Sequence, residues 1–467
     1  MPLETLTFHS DSHELNLAFK LALETLAANV HSVPPTGLLD NGGEVIFAGQ
    51  DYSSPWTRDA SFNAWYAASL LIPEIAKNTL LSVAGREKGK YRILGDYWDA
   101  VIWIHAAWEH FLRTGDRPFL ELAFQVAMDA LDFFETTELD KDDGLFQGGA
   151  CFMDGISAYP DKFVTPEGDS GIMGYARTRK VSCKALSTNC LYYMAYQAAS
   201  RMAEMLGRPC GTLTARATSL AKSIDARFFD AGRQRYRYLL DADDPHPERE
   251  EGLGHAFLLI SGLAGSGRAQ RILQYVHRTK QGLPCVWPTY KRYAKSPGGY
   301  GRHSGTVWPQ VNAAWCIALA RHGFVEEAWK EIQLQATRVV RDGQFRELYH
   351  PETGLPYAGL QEFPGEGICQ HFICAHHQTW AATGFLAMVF SVLAGLNFQT
   401  DGLRVEPWLP PDLEGFNITG MPYRNAQINL TVSCTAAPGT PVTAFVPATT
   451  KGELTLKLRG KMSQRDH

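Results

Sequence analysis

The chain has 467 residues, enough for two or three domains around a large core. Hydrophobic residues make up 45% and charged residues 20%, as in an ordinary globular protein, and a net charge of −5 without any basic run excludes the electrostatic footprint of nucleic-acid binding. No apolar stretch reaches the roughly 18 uncharged residues that a membrane-spanning helix needs.

The start, Met1-Pro2-Leu3-Glu4, has neither a basic nor an apolar segment of the secretory kind, so no signal peptide is expected. The nine cysteines are odd in number and show no CxxC spacing, which points to thiols in a reducing cytoplasm rather than to a disulfide framework or a zinc site. Helical periodicity then runs from residue 11 to residue 395. It predicts helices over 13–29, 59–72, 73–86, 96–113, 117–137, 186–206, 211–229, 253–264, 267–279, 306–321, 323–340 and 376–395. Short turns such as Ile72-Pro73, Gly115-Asp116 and His322-Gly323 alternate with long loops over 30–57, 138–185, 230–251, 280–305 and 341–375. Short turns make antiparallel neighbours, and recurring long loops in a compact domain are usually functional. Twelve helices in hairpins with the long loops at one end predict an (α/α)6 barrel over residues 1–396. The runs 98–113 and 308–320 are apolar on most faces, as inner helices must be, whereas 323–340 is amphipathic. From 397 the texture changes to short alternating segments punctuated by Gly and Pro, at 403–406, 416–419, 426–434, 443–446 and 453–458, which predicts a small β-rich domain over 397–467.

In such a barrel the loops before the inner helices converge on one mouth. Three of these connectors set an aromatic beside an aspartate: Trp56-Thr57-Arg58-Asp59, Tyr97-Trp98-Asp99 and Phe152-Met153-Asp154. Sugars are bound by that pairing, an aromatic face on the C–H face of the ring and a carboxylate on its hydroxyls. Helix capping competes as the reading for Asp59 and Asp99, and an Asx turn for Asp154. Later loops add His303, Trp308, Glu347, Glu362, Glu366 and the histidines 371, 376 and 377. No spacing of His with carboxylates makes a metal set, and no cofactor is expected. Aromatics, carboxylates and Arg at one mouth are what a glycosidase needs, since its oxocarbenium-like transition state requires two carboxyl groups.

The motifs resemble those of the six-hairpin glycosidases, most of all the amylo-α-1,6-glucosidase part of glycogen-debranching enzymes and its bacterial relatives. The segment 56–59 is similar to the family's aromatic-x-Arg-Asp motif, Asp99-Ala100-Val101-Ile102-Trp103 to its helix start, and Ser304-Gly305-Thr306-Val307-Trp308-Pro309 to its "SGxVWP" signature. Asp143-Gly144-Leu145 with Phe152-Met153-Asp154 resembles "DGL…TWMD", whose Asp is the general acid, and Gly359-Leu360-Gln361-Glu362-Phe363 resembles "GLPEL", whose Glu is the base. Gln378-Thr379-Trp380 and Asp401-Gly402-Leu403 follow in the family's order. The resemblance covers roughly residues 56–410. It implies an inverting, exo-acting hydrolase of an α-linked gluco-oligosaccharide or small glucoside. Asp154 is then the general acid, its pKa raised by Phe152 and Met153, and Glu362 the base. Trp56, Arg58, Asp59, Trp98, Asp99, His303, Trp308 and Glu347 would hold the sugar. Glu347, before a "YxPxTG"-like stretch, rivals Glu362 as base; Glu362 is preferred because it precedes Trp380 by 18 residues rather than 33. A phosphorylase on the same scaffold, a sugar epimerase or isomerase using His371, His376 and His377, and a non-catalytic sugar-binding module are the alternatives.

Overall fold

The computed structural model of the chain describes residues 2–95, 97–163, 183–240, 248–294, 299–363, 367–369, 373–435, 437 and 439–461. Within them every predicted helical segment is occupied: α1 (His13–Ala28), α2 (Thr57–Asn63, continued by a π turn Ala64–Ala68 and by Ser69–Leu71), α3 (Pro73–Ser82), α4 (Ile102–Thr114), α5 (Arg117–Thr137), α6 (Leu186–Met205), α7 (Gly211–Phe228), α8 (Gly252–Ile260), α9 (Ser266–Tyr275), α10 (Pro309–Arg321), α11 (Val325–Asp342) and α12 (Thr379–Met388, continued by a π turn Val389–Leu393). Their ends carry local signals. Ser12 and Asp116 cap α1 and α5 by accepting from the backbone N–H of Leu15 and Phe119, Pro73 and Pro309 open α3 and α10, and Gly115 and Gly343 close α4 and α11 in the left-handed conformation.

Six helices pack side by side in a closed order. Each of α2, α4, α6, α8, α10 and α12 contacts the next, and α12 contacts α2. Residues 102–113 of α4 and all of α8 are buried around the whole helix, the burial expected of elements covered on both sides. Outside this ring α11 keeps one polar face. Helix α3 ends earlier than its predicted segment, because Lys88-Gly89, both at positive φ, turn the chain into the hairpin Ala84–Glu87/Lys90–Ile93.

The C-terminal part forms two sheets. The first is ordered Thr7–Ser10, Gly415–Tyr423, Asn425–Ser433 and Lys451–Arg459, the last pair parallel; the second joins Leu396–Phe398, Gly402–Val405 and Ala444–Pro447. The first strand comes from the N-terminus, which the expected boundary leaves in the helical part. Phe8 holds it there by stacking between Phe19 of α1 and Phe416, with centroids 5.1 and 5.8 Å away. Its four residues stand at the short limit at which alternation marks a strand. Among the described residues no helix is long and apolar enough to cross a membrane.

Candidate active site

The N-terminal ends of the ring helices meet around two arginines. Arg58, in the first turn of α2, is buried. Its Nε pairs with Asp99 Oδ2 at 3.2 Å, and its Nη1 pairs with Asp154 Oδ2 at 3.2 Å while donating to the Phe152 carbonyl at 2.8 Å. Asp99 Oδ2 also accepts from the Phe152 N–H at 3.1 Å. One guanidinium and one carboxylate thus hold both backbone polar groups of Phe152, two residues before Asp154. Phe152 itself sits at φ 59, a conformation that costs a bulky residue about 1–3 kcal/mol and persists only where surroundings enforce it. Its ring is enclosed by His303, Trp308 and Trp380.

Arg302, the second arginine, pairs through Nη2 with Glu347 Oε2 at 2.8 Å. The same oxygen accepts from the Ala375 N–H at 3.2 Å, and Oε1 accepts from the Tyr52 hydroxyl at 2.9 Å. Next in sequence, His303 stacks on Trp308 at 5.1 Å and places Nε2 3.8 Å from Asp154 Oδ1. Burial pushes His303 down to about 3, so it is neutral and touches Asp154 as a dipole rather than as a cation.

Asp154 is 39% exposed, the most open carboxylate of the group. Burial raises its pKa, but the Arg58 guanidinium beside it and Arg302 farther off outweigh burial, and the carboxyl lies below its ordinary value. The expected elevation by Phe152 and Met153 is therefore reversed. Both side chains are buried beneath the loop, while a cation sits on the carboxylate. Asp59 behaves oppositely. Burial pushes it up to about 8, with Glu347 and Asp99 adding to the rise and Arg58 opposing it, and its Oδ1 has no hydrogen-bond partner. Neither Asp59 nor Asp99 is an N-cap: Trp56 holds that position of α2 without a side-chain bond, and Asp99 lies in a 3-10 turn ahead of α4.

Glu362 stands elsewhere. It lies on the strand Gln361–Phe363, where successive side chains face opposite sides. Gln361 faces the Asp154 loop: Ser157 Oγ lies 3.4 Å from its Oε1, and a Cβ on Gly155 would meet that oxygen at 2.1 Å and His303 Nδ1 at 2.7 Å. Glu362 faces away. Its Oε1 accepts from Arg292 Nε at 2.6 Å and its Oε2 from the Tyr293 hydroxyl at 2.5 Å. Arg292 also pairs with Asp161 and donates to the Ile156 carbonyl, so this carboxylate ties loops together.

Of the aromatics expected to face a sugar, only Trp56 is open, 38% exposed and with the Arg58 guanidinium 5.9 Å from its ring centroid. Trp98 is buried against Gly148 and Gly149 and donates to the Ala150 carbonyl; Trp308 is buried beneath His303 and donates to the Arg302 carbonyl. His376 pairs with Asp51 on the surface, and His371 and Glu366 lie outside the described residues. Neither Tyr52 nor Arg302 had a role assigned from the sequence. Nothing local marks Tyr52, whereas Arg302 sits directly before the candidate His303. Among the described residues no group of three His, Cys, Asp or Glu side chains is arranged to hold a metal ion.

This arrangement can bind a polyol and offer it carboxylates from different loops. The family model described as the mannosylglycerate hydrolase MGH1-like glycoside hydrolase domain matches residues 72–381. No curated protein sequence matches. Among solved structures the chain is similar to a sialidase (TM-score 0.71, 13% identity, 95% of this chain and 40% of that one) and to the GH78 rhamnosidase of a Bacillus species (0.57, 14%, 98% and 44%). It is also similar to the GH63 mannosylglycerate hydrolase of Thermus thermophilus in complex with glucose (0.58, 17%, 79% and 99%). The chain spans less than half the length of the first two and nearly the whole of the third.

Proposed function

Since the chain belongs to the MGH1-like glycoside hydrolase family, and so is a six-hairpin-type glycoside hydrolase, we propose that it removes a terminal sugar from a small α-glycoside with inversion at the anomeric carbon. The observation that carries this reading is the pair Asp154 and Glu347, held at one end of the helical ring by Arg58 and Arg302. An inverting hydrolase needs an acid on the leaving oxygen and a base that activates water on the opposite face, about 6.5–9.5 Å apart. Asp154, the more open of the two, is the acid. Glu347 is the base, because it shares the arginine cluster with Asp154, whereas Glu362 faces away and is spent on Arg292 and Tyr293. Glu362, favoured by the motif order, remains the second reading. Arg58, Asp59 and Trp56 bind the terminal sugar, and Asp99, His303 and Trp308 position the groups that touch it.

We read the closed order of six helices as the inner ring of an (α/α)6 barrel over 1–396, with 397–467 as a β-rich domain that borrows the strand Thr7–Ser10. Long loops around the ring mouth favour exo action. The motif order favours an α-linked gluco-oligosaccharide, as in the amylo-α-1,6-glucosidases. The family's description adds mannosylglycerate as a second substrate to try, and the cysteine usage favours a cytoplasmic setting. The test is hydrolysis of a panel of α-gluco- and α-manno-disaccharides and mannosylglycerate, followed by proton NMR. The expected first product is the β-anomer. Release of the α-anomer would refute inversion, and phosphate-dependent release of a sugar 1-phosphate would replace hydrolysis by phosphorolysis.

A further inference from the structure

The ring helices end at the side of the molecule opposite the arginine–carboxylate cluster, and there they enclose a second cavity of about 870 Å³. Its wall consists largely of last turns, with Glu109 and Arg113 from α4, Arg201 from α6 and Arg321 from α10, closed by Glu406 and Lys461 from the C-terminal part. Two of its four cations have carboxylate partners: Arg113 pairs with Glu109 at 2.6 Å and Lys461 with Glu406 at 3.6 Å. Among the described residues, Arg201 and Arg321 have none within ion-pair distance. Burial depresses the Arg321 guanidinium; the Glu109 carboxylate opposes this, and Arg201 and Arg113 add to it, so the four groups lie near one another. Arg321 gives one N–H to the Ile260 carbonyl, at 2.9 Å, out of the five that a guanidinium carries. Trp108 and Trp408 also line the cavity with their rings, while their indole N–H groups are buried away from it. The wall therefore carries two guanidiniums without an ion-pair partner beside two cations that have one, and the cavity's volume is in the range of small-ligand sites, about 300–1,000 Å³.

We propose that this cavity binds a small organic anion, a carboxylate or a phosphate ester, with the charged group between Arg201 and Arg321 and the carbon skeleton against Trp65, Trp108 and Phe398. An oxyanion supplies acceptors to two neighbouring guanidiniums and offsets the repulsion between them that Glu109 opposes. A rival account is that the arginines only neutralise carbonyls at helix C-termini. It explains the bond from Arg321 to Ile260 but not Arg201, which among the described residues bonds no helix carbonyl. The site is remote from Asp154 and does not depend on the hydrolytic reading.

The test is calorimetric titration of the full chain with inorganic phosphate and with D-gluconate, with D-glucose as the neutral control. Saturable binding of either anion is expected. It should weaken about tenfold in Arg201→Gln and in Arg321→Gln, since each loses charge-assisted hydrogen bonds, and stay unchanged in Asp154→Asn. Binding of phosphate alone identifies a phosphate site, and tighter gluconate binding identifies a carboxylate site with skeleton contacts. Arg201 is exposed, so Arg201→Gln should fold and hydrolyse as the parent does, which keeps the test open should Arg321→Gln unfold. Absence of saturable heat, binding of glucose as tight as that of gluconate, or indifference to both arginine variants would overturn the proposal.

Discussion

In the proposed mechanism Asp154 donates a proton, yet Arg58 holds its carboxyl below the usual range. The alkaline limb of kcat/KM reports the acid of the free enzyme. Arg58→Gln removes the largest charge opposing protonation while burial stays, so the limb should move to higher pH even as the rate falls. A limb that stays in place would separate Asp154 from the acid role. The choice of base is equally a residue-scale matter. Glu347→Gln should lower kcat about 10²–10⁴-fold with the fold intact, the range for loss of one acid–base group. Glu362→Ala should instead act mainly on stability, by about 3 kcal/mol, because it strips a buried partner from Arg292. Parallel kcat and urea-melt measurements decide, and the reverse pattern would return the base to Glu362. Asp154 and Glu347 were visible in the sequence as residue types near suitable motifs. The preference for Glu362 rested on the motif it resembles and on its spacing to Trp380; neither says which face of a two-stranded hairpin a side chain occupies, and the kinetic comparison decides between the two.

Among elements, the loops that carry Arg302 and the Asp154 segment hold the site together, and glycines decide how near they come. Gly359 has φ +77, and a Cβ there would lie 2.2 Å from the Cα of Arg302. Gly207 has φ +66 with nothing within 4 Å. Both Gly→Ala changes carry the strain of a left-handed residue, about 1 kcal/mol, but only Gly359→Ala adds a backbone clash of roughly 1–3 kcal/mol. Gly359→Ala should therefore cost more in urea melts and also lower kcat by displacing Arg302, whereas Gly207→Ala should leave kcat alone. Equal losses would mean that the loop yields without moving the arginine. Each of the α-helices α1 to α12 was legible from its period and its punctuation. The π turns in α2 and α12 and the strand Thr7–Ser10 were not, because each depends on neighbours far along the chain rather than on a local pattern.

For the molecule as a whole, buried titratable groups set a pH window. Burial depresses His105 to about 4 and His110, His255 and His303 to about 3, from 6.5. The folded state then binds fewer protons than the unfolded one, and stability is lost as pH falls below 6.5. Burial raises Asp59 and Glu251 to about 8 and Glu250 and Glu331 to about 7. These carboxyls hold protons that the unfolded chain releases near 4, so their stabilisation is lost as pH rises toward 8. The two sets oppose each other between roughly pH 4.5 and 6.5, where the Tm should be highest and nearly flat, falling on either side. Glu251→Gln should flatten the alkaline fall, because it removes a group that must ionise; calorimetric scans from pH 4 to 9 check both, and a maximum above pH 8 would contradict the assignment.

Taken alone, the sequence determined the helical periodicity, the β-rich end, the chemical class and the loops that carry the site, because hydrophobic period, turn residues and short motifs are local properties of the chain. Only the tertiary structure decided that Arg58 grips Asp99 and Asp154, that Arg302 joins Glu347 to the same cluster, that Trp98 and Trp308 lie beneath the site, and that Glu362 is tied to Arg292. These pairings connect residues 41 to 96 positions apart, and the Tyr52–Glu347 bond spans 295. At such distances along the chain, packing rather than spacing selects which charges meet.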